Sequence, residues 1–244
     1  MIKDIPSLDN TPHDNNACDK INKPRNKAAG TNWGAMLAED SSGLELPSHT
    51  FVTVVEGLFK IFLKLHNRLE IKGRENIPAD GNFIMASNHQ TFLDAQICVA
   101  GLDNKTLCNT YYYATEEHVC DAVTIFLANH LNIVRMERRN LRNSILKLGE
   151  VLKKGKNIVI FPEGRRTDDG NIGAFKKTFA ILSKELHVPI LPVCITGAFE
   201  AMPRGRKIPN THKILIEYLK PIMPLPGETY DEISEKVKEH ILKA

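Results

Sequence analysis

The densest apolar segment of the chain is residues 51–65. There Phe51, Val55, Leu58, Phe59, Phe62 and Leu65 cover a wide face, while Glu56, Lys60 and Lys64 recur every fourth residue as a narrow polar stripe. That spacing predicts a helix. It is too apolar for an ordinary surface helix and too short and charged to span a bilayer, which leaves two placements: docked on the domain core, or lying in a membrane interface with the polar stripe toward water. Downstream the pattern changes to short apolar runs separated by helical periodicity. Residues 83–86 and 157–161 are nearly uniformly apolar, as strands buried on both faces of a parallel sheet are. Residues 71–78 read as a strand and turn, and 107–114, 189–193 and 213–219 as further strands, the last at an edge. Helices are expected over 95–100, ending at Gly101, over 141–152, closed by Gly155, and over 174–187. Thr115 with Glu116 and Glu117 marks another helix start, and Thr229 to Glu232 is a capping box ahead of Ile233, Val237 and Ile241. Strand and helix alternate repeatedly, so the fold class is α/β, a mostly parallel sheet flanked by helices.

Residues 1–32 show almost no apolar periodicity and are rich in Asn, Asp, Lys and Pro. They read as a tail, and the domain organisation is a disordered tail or linker over 1–49 followed by one domain over 50–244, with its interfacial helix at 50–68. Trp33, Met36 and Leu37 form a short apolar patch within the tail, read most simply as a local turn of helix.

Net charge changes the picture little. The chain carries +3 overall, and beyond residue 49 there are 27 Lys or Arg against 22 Asp or Glu. That surplus suits an anionic substrate or a membrane surface, whereas a nucleic-acid binder carries a denser basic stripe. The five cysteines form no close pair of metal-ligand spacing, so neither a disulfide framework nor a zinc site is expected and a reducing compartment fits. The first residues lack the apolar core of a signal peptide, and no long uncharged apolar run occurs, so a secreted or membrane-spanning protein is not expected.

Chemistry enters where the two buried strands end. After residues 83–86 comes Asn88-His89-Gln90-Thr91-Phe92-Leu93-Asp94. An imidazole whose one nitrogen is held by a carboxylate can take a proton from a hydroxyl through the other, but an offset of five residues points the two side chains to different faces of a continuous helix. A turn between them is therefore required; without one, the pair is ordinary loop polarity. After residues 157–161 comes Pro162-Glu163-Gly164-Arg165-Arg166-Thr167. Gly164 lets the backbone approach a ligand closely, Arg166 offers a planar fork of donors matched to phosphate, and Arg165 adds to that field. A solvated basic turn is the plainer reading of the arginines alone. A parallel sheet places both stretches at one carboxyl edge, where α/β proteins bind ligands.

Together these stretches resemble the glycerophospholipid acyltransferase family, which includes 1-acylglycerol-3-phosphate acyltransferases. Residues 88–94 are similar to its signature of Asn-His, four intervening residues and Asp, the HX4D motif. Residues 161–167 resemble its Phe-Pro-Glu-Gly-Thr-Arg-Ser block, with Arg165 in the Thr place and Thr167 in the Ser place. Asp169-Gly170 and Phe175-Lys176-Lys177 resemble the family's residues just after that block. Residues 132–138 correspond to a block ending in Asp-Arg, with Asn132 where Gly is usual and Arg135 where an apolar aromatic is usual, and residues 188–193 resemble a fourth block.

The resemblance implies a glycerol-3-phosphate acyltransferase-like fold and an acyl thioester donor, either acyl-CoA or acyl carrier protein, with no metal or bound cofactor. It implies that His89, oriented by Asp94, is the catalytic base, and that Arg138, Glu163, Gly164, Arg165 and Arg166 bind the acceptor. The expected reaction acylates 1-acylglycerol-3-phosphate to phosphatidic acid. Alternatives are another lysophospholipid or hydroxylated lipid acceptor, or a non-catalytic membrane-associated scaffold of the same fold. Expected partners are the lysophospholipid, the acyl donor and a membrane surface, with no nucleic acid, and the expected place is peripheral on a membrane's cytoplasmic face. Such an enzyme takes its acceptor from a bilayer, which selects the interfacial placement for residues 50–68.

Overall fold

The structure, a computed structural model, describes residues 32–38, 50–115, 132–136, 141–203, 206 and 208–244. Among these a seven-stranded sheet runs in the order β1-β7-β6-β2-β5-β3-β4. Its strands are β1 (Glu70–Lys72), β2 (Ile84–Ser87), β3 (Thr110–Thr115), β4 (Ile133–Met136), β5 (Asn157–Ile160), β6 (Ile190–Thr196) and β7 (Leu215–Tyr218). From β6 through β2, β5 and β3 to β4 all neighbours are parallel; β7 pairs antiparallel with β6 and parallel with β1. The α/β class with a mostly parallel sheet is the one the strand and helix alternation predicts.

The central strands owe their uniformly apolar sequence to burial on both sides. In β2, Ile84 and Ala86 enter the core on one face and Met85 the core on the other; in β5, Ile158 and Ile160 oppose Val159 in the same way. The first face is covered by α1 (Trp33–Ala38), α5 (Leu141–Lys153), α6 (Thr178–Leu186) and α8 (Tyr230–Leu242), and the second by α2 (Thr50–His66), α3 (Asp94–Val99), α4 (Asn104–Cys108) and α7 (Ala198–Ala201). The capping box of α8 is present with both reciprocal bonds between Thr229 and Glu232, and Ile233, Val237 and Ile241 are buried as its spacing predicts.

Several elements differ from the sequence expectation. Trp33, Met36 and Leu37, assigned to the tail, are buried in the core of the first face, because α1 lies across α5 and α6. The strand at 213–219 is not an edge: β1 lies outside β7 and takes that position. Leu107 and Cys108 end a short helix capped by the Asp103 side chain, and β3 begins only at Thr110. The helix expected over 174–187 starts at Thr178. The expected helix after Thr115 and most of the 1–49 tail lie outside the described residues.

The largest departure is in α2. Its polar stripe is split: Glu56 is buried together with Val52 and Leu63, Lys60 is half-buried and only Lys64 is exposed, while the outward side carries Val54, Leu58, Ile61, Phe62 and Leu65. Phe59 packs against the core. No helix among the described residues is long and apolar enough to cross a membrane. Glu56 is tolerated inside because the Tyr112 hydroxyl donates to its Oε1 at 3.2 Å, yet burial still pushes its carboxyl up to about 7. An acid whose folded value lies above its ordinary 4.5 favours folding when protonated, so its contribution is present below about pH 4.5 and is lost as pH rises through about 7. Glu56→Gln keeps an acceptor for Tyr112 and removes the charge. The variant's advantage over the parent in denaturant unfolding should therefore grow by roughly 2 kcal/mol between about pH 5 and pH 8; a constant difference across that range would show that folding does not raise the Glu56 carboxyl.

Candidate active site

β2 and β5 are parallel neighbours, with Ala86 opposite Ile160, so the segments that follow them leave the sheet at the same edge. Asn88 prolongs β2 without being part of it: its side chain donates to Ile195 O and accepts from Ile195 N, both at 2.8 Å, completing the ladder toward β6. With the chain pinned there, residues 89–93 turn away from the sheet and α3 begins at Asp94. That is the turn the His89 and Asp94 spacing requires.

The turn is organised on the Asp94 carboxylate, which is fully buried. Oδ2 accepts from the Gln90 amide at 2.5 Å and the Thr91 amide at 2.8 Å, and Oδ1 accepts from the Thr91 hydroxyl at 2.9 Å. The remaining partner of Oδ2 is His89 Nδ1, at 2.8 Å. A carboxylate only accepts, so Nδ1 carries the proton and Nε2 presents a lone pair. The His89 side chain is 20% exposed and Asp94 has no exposure, which gives a base open to substrate with its orienting acid sealed behind it. The ring of Phe161 lies on the imidazole with centroids 4.2 Å apart and planes 17° from parallel.

The second motif folds over the first. Glu163 Oε1 accepts from the His89 amide and Oε2 from the Gly173 amide, both at 2.8 Å, and the Thr167 amide donates to His89 O at 2.8 Å. The two oxygens of Glu163 thereby tie three segments of backbone together. Gly164 has φ of 70°, a left-handed conformation that strains a side chain, and the ammonium end of Lys176 lies where a Cβ would go. The Lys176 amide is fixed to Pro162 O at 2.8 Å. Thr167, nearly buried, accepts from Gly170 N and donates to Asp169, closing the loop on itself.

The cations are not equivalent. Arg165 is exposed and paired with Asp168 at 3.1 Å, so the block's first arginine points to solvent. Arg166 is half-buried and has no hydrogen-bond or ion-pair partner among the described residues. Arg138 lies outside them. Asn132, in the place where the resembling block has Gly, has φ of 46°, a left-handed conformation that Asn tolerates better than other side chains, and it spends its amide on Cys108 O and Thr110 O.

Reading from sequence alone missed Thr91, Phe161 and Lys176. Thr91 carried a signal, since Thr-x-x-Asp ahead of an apolar run is the pattern in which hydroxyl and carboxylate exchange bonds with the opposing backbone. Phe161 and Lys176 stand in stretches that resemble the family, but nothing local shows what either touches, because each acts on a segment distant in sequence or across a loop.

Comparison with known proteins agrees with this geometry. The family model described as Acyltransferase matches residues 68–196. The 1-acyl-sn-glycerol-3-phosphate acyltransferase BAT2 of Brassica napus chloroplasts is 29% identical over 179 residues, covering 70% of this chain and 50% of that protein. A probable 1-acyl-sn-glycerol-3-phosphate acyltransferase of Mycoplasma pneumoniae is 24% identical, with 69% and 67% covered. The chain spans about half the length of the plant relatives it matches. The crystal structure of PlsC, the 1-acyl-sn-glycerophosphate acyltransferase of Thermotoga maritima, superimposes with a TM-score of 0.63 at 29% identity, covering 78% of this chain and 77% of that one. The matched span takes in more than half of the sequence and encloses both motifs that meet at the sheet edge: the chain belongs to the acyltransferase family.

Proposed function

We propose that this chain transfers a fatty acyl group from a thioester, acyl-CoA or acyl carrier protein, to the free hydroxyl of 1-acylglycerol-3-phosphate. The observation that carries the reading is the His89 and Asp94 pair, with Nδ1 committed to a buried carboxylate at 2.8 Å and Nε2 on a side chain that is 20% exposed, without a hydrogen-bond partner among the described residues. In the proposed step the acceptor hydroxyl gives its proton to Nε2 as its oxygen attacks the thioester carbonyl carbon. The tetrahedral intermediate collapses by breaking the C–S bond, and the leaving thiolate takes the proton back from the imidazolium. Atoms balance without a protein nucleophile. Arg166, unpaired among the described residues and two residues beyond Gly164, is the group this reading assigns to the acceptor phosphate, with Lys176 nearby on Gly164. The intact pair argues against a non-catalytic scaffold, and the names of the relatives favour the phosphatidic acid product over that of another lysolipid.

The same reading places the protein on a membrane surface through α2. The stripe Val54, Leu58, Ile61, Phe62 and Leu65 is an unbroken apolar outer face, with Leu58 65% and Leu65 80% exposed. The water-facing role first expected of Glu56 is not needed for this, since the apolar side that points outward is the one a bilayer would meet.

A panel of lysolipid acceptors offered with one labelled thioester should show 1-acylglycerol-3-phosphate as the best substrate, with release of one thiol per ester formed; thiol release without acceptor acylation would sink the reading. His89→Ala should lower turnover about a hundredfold to ten-thousandfold in protein that still folds, with some loss of stability because Asp94 gives up one of its four donors. Asp94→Asn should fall nearly as far and also lower stability by about 1 to 3 kcal/mol, because its amide sets donors against the donors of Gln90 and Thr91.

Arg166→Lys should raise the acceptor KM far more than the donor KM, since an ammonium cannot reproduce the bidentate fork. Arg165→Lys, at an exposed ion pair, should change either by less than about threefold. Equal effects of the two substitutions would remove Arg166 from the phosphate site.

For the membrane, the protein should co-sediment with vesicles containing anionic lipid, and Leu58→Asp with Leu65→Asp should weaken that association at least about tenfold. Turnover of a short-chain, soluble acceptor should persist. Undiminished sedimentation of the folded double variant would exclude this face.

A further inference from the structure

The segment that follows β5 holds His89 at three points. Glu163 grips its amide, Thr167 its carbonyl, and Phe161 its ring. The first two fix the backbone. Asp94 fixes one ring atom only, and a single hydrogen bond through Nδ1 leaves the imidazole free to swing about the bond, because χ2 of histidine has a broad preference rather than a sharp staggered one. The parallel contact with Phe161 at 4.2 Å removes that freedom. Phe161 is not simply filling the core: it is half-buried, packed on one side against the apolar cluster of the α3 face and on the other against the imidazole.

We propose that Phe161 is a positioning residue for His89, its ring setting the plane in which Nε2 points at the acceptor hydroxyl and its π face stabilising the positive charge that the imidazole acquires when it takes the proton. The charge exists only after proton transfer, so the aromatic face contributes more to the transition state than to the ground state. The inference rests on the proposed role of His89 as base. It adds a part to that machinery that comes from the second motif, so the acid and the aromatic ring act on one imidazole from segments 67 residues apart in the chain.

The test compares Phe161→Leu, which keeps an apolar side chain against the core cluster, with Phe161→Tyr, which keeps the aromatic face. Phe161→Leu should lose about three- to tenfold in kcat with little change in acceptor KM, and Phe161→Tyr should restore most of it. Proton NMR of the histidine ring supplies a readout that packing alone would not move. In the parent the His89 ring, stacked on Phe161, should give ring-proton resonances shifted upfield, identified by their loss in His89→Ala; the shift should vanish in Phe161→Leu and persist in Phe161→Tyr. Folded Phe161→Leu protein with parental kcat would overturn the proposal, as would failure of the Tyr variant to recover turnover while the ring shift is retained. The two readings separate cleanly: parental turnover by His89→Ala defeats the base itself, whereas inactive His89→Ala beside fully active Phe161→Leu defeats only the positioning role.

Discussion

A carboxylate with no access to water has to find its solvation inside the protein, and Asp94 finds it in four donors: two backbone amides, a hydroxyl and an imidazole. Three of the four come from residues within four positions of it, so the requirement dictates the shape of residues 89–93. The loop cannot relax without leaving a buried charge unmatched, at a cost well above that of an ordinary lost hydrogen bond. The position of the imidazole is a by-product of that local necessity.

From this point the rest of the edge assembles. Once the 89–93 turn is rigid, its outward backbone groups, His89 N and His89 O, become fixed sockets, and Glu163 and Thr167 plug into them from the neighbouring parallel strand. The β2 and β5 pairing sets the distance between the two loops, and Asn88 fastens the other side to β6. The arrangement is a rigid scaffold presenting two short loops, which is how α/β sheets concentrate chemistry at the carboxyl ends of strands.

How much of this could be read in the sequence depends on how local the cause is. The buried strands were legible because burial on both faces leaves only apolar residues, as at Ile158, Val159 and Ile160. His89 with Asp94 was legible through the resemblance of residues 88–94 and 161–167 to the family's motifs, since the pair alone reads as ordinary loop polarity. Long-range choices were not. Whether a strand with alternating burial such as 215–218 sits inside the sheet or at its rim depends on β1, more than 140 residues earlier. Glu163 offers an acid suited to several partners, and only the meeting of two distant loops decides that both oxygens take backbone amides. Glu56 misled for a related reason: charges on helices normally face water, and the hydroxyl that admits this one comes from Tyr112 on another element.

Gly164 and Lys176 show what such packing does to the freedom of the sequence. A side chain at 164 would have to adopt a left-handed backbone and also move aside the flexible end of the Lys176 side chain. The two constraints differ in kind: the lysine end can swing aside, whereas the left-handed backbone belongs to the turn itself, so a side chain at 164 carries that strain whatever stands at 176. In the language of evolutionary paths, position 164 is held by its own backbone, while an exposed neighbour such as Arg165 is free to drift with little more than one surface ion pair to lose.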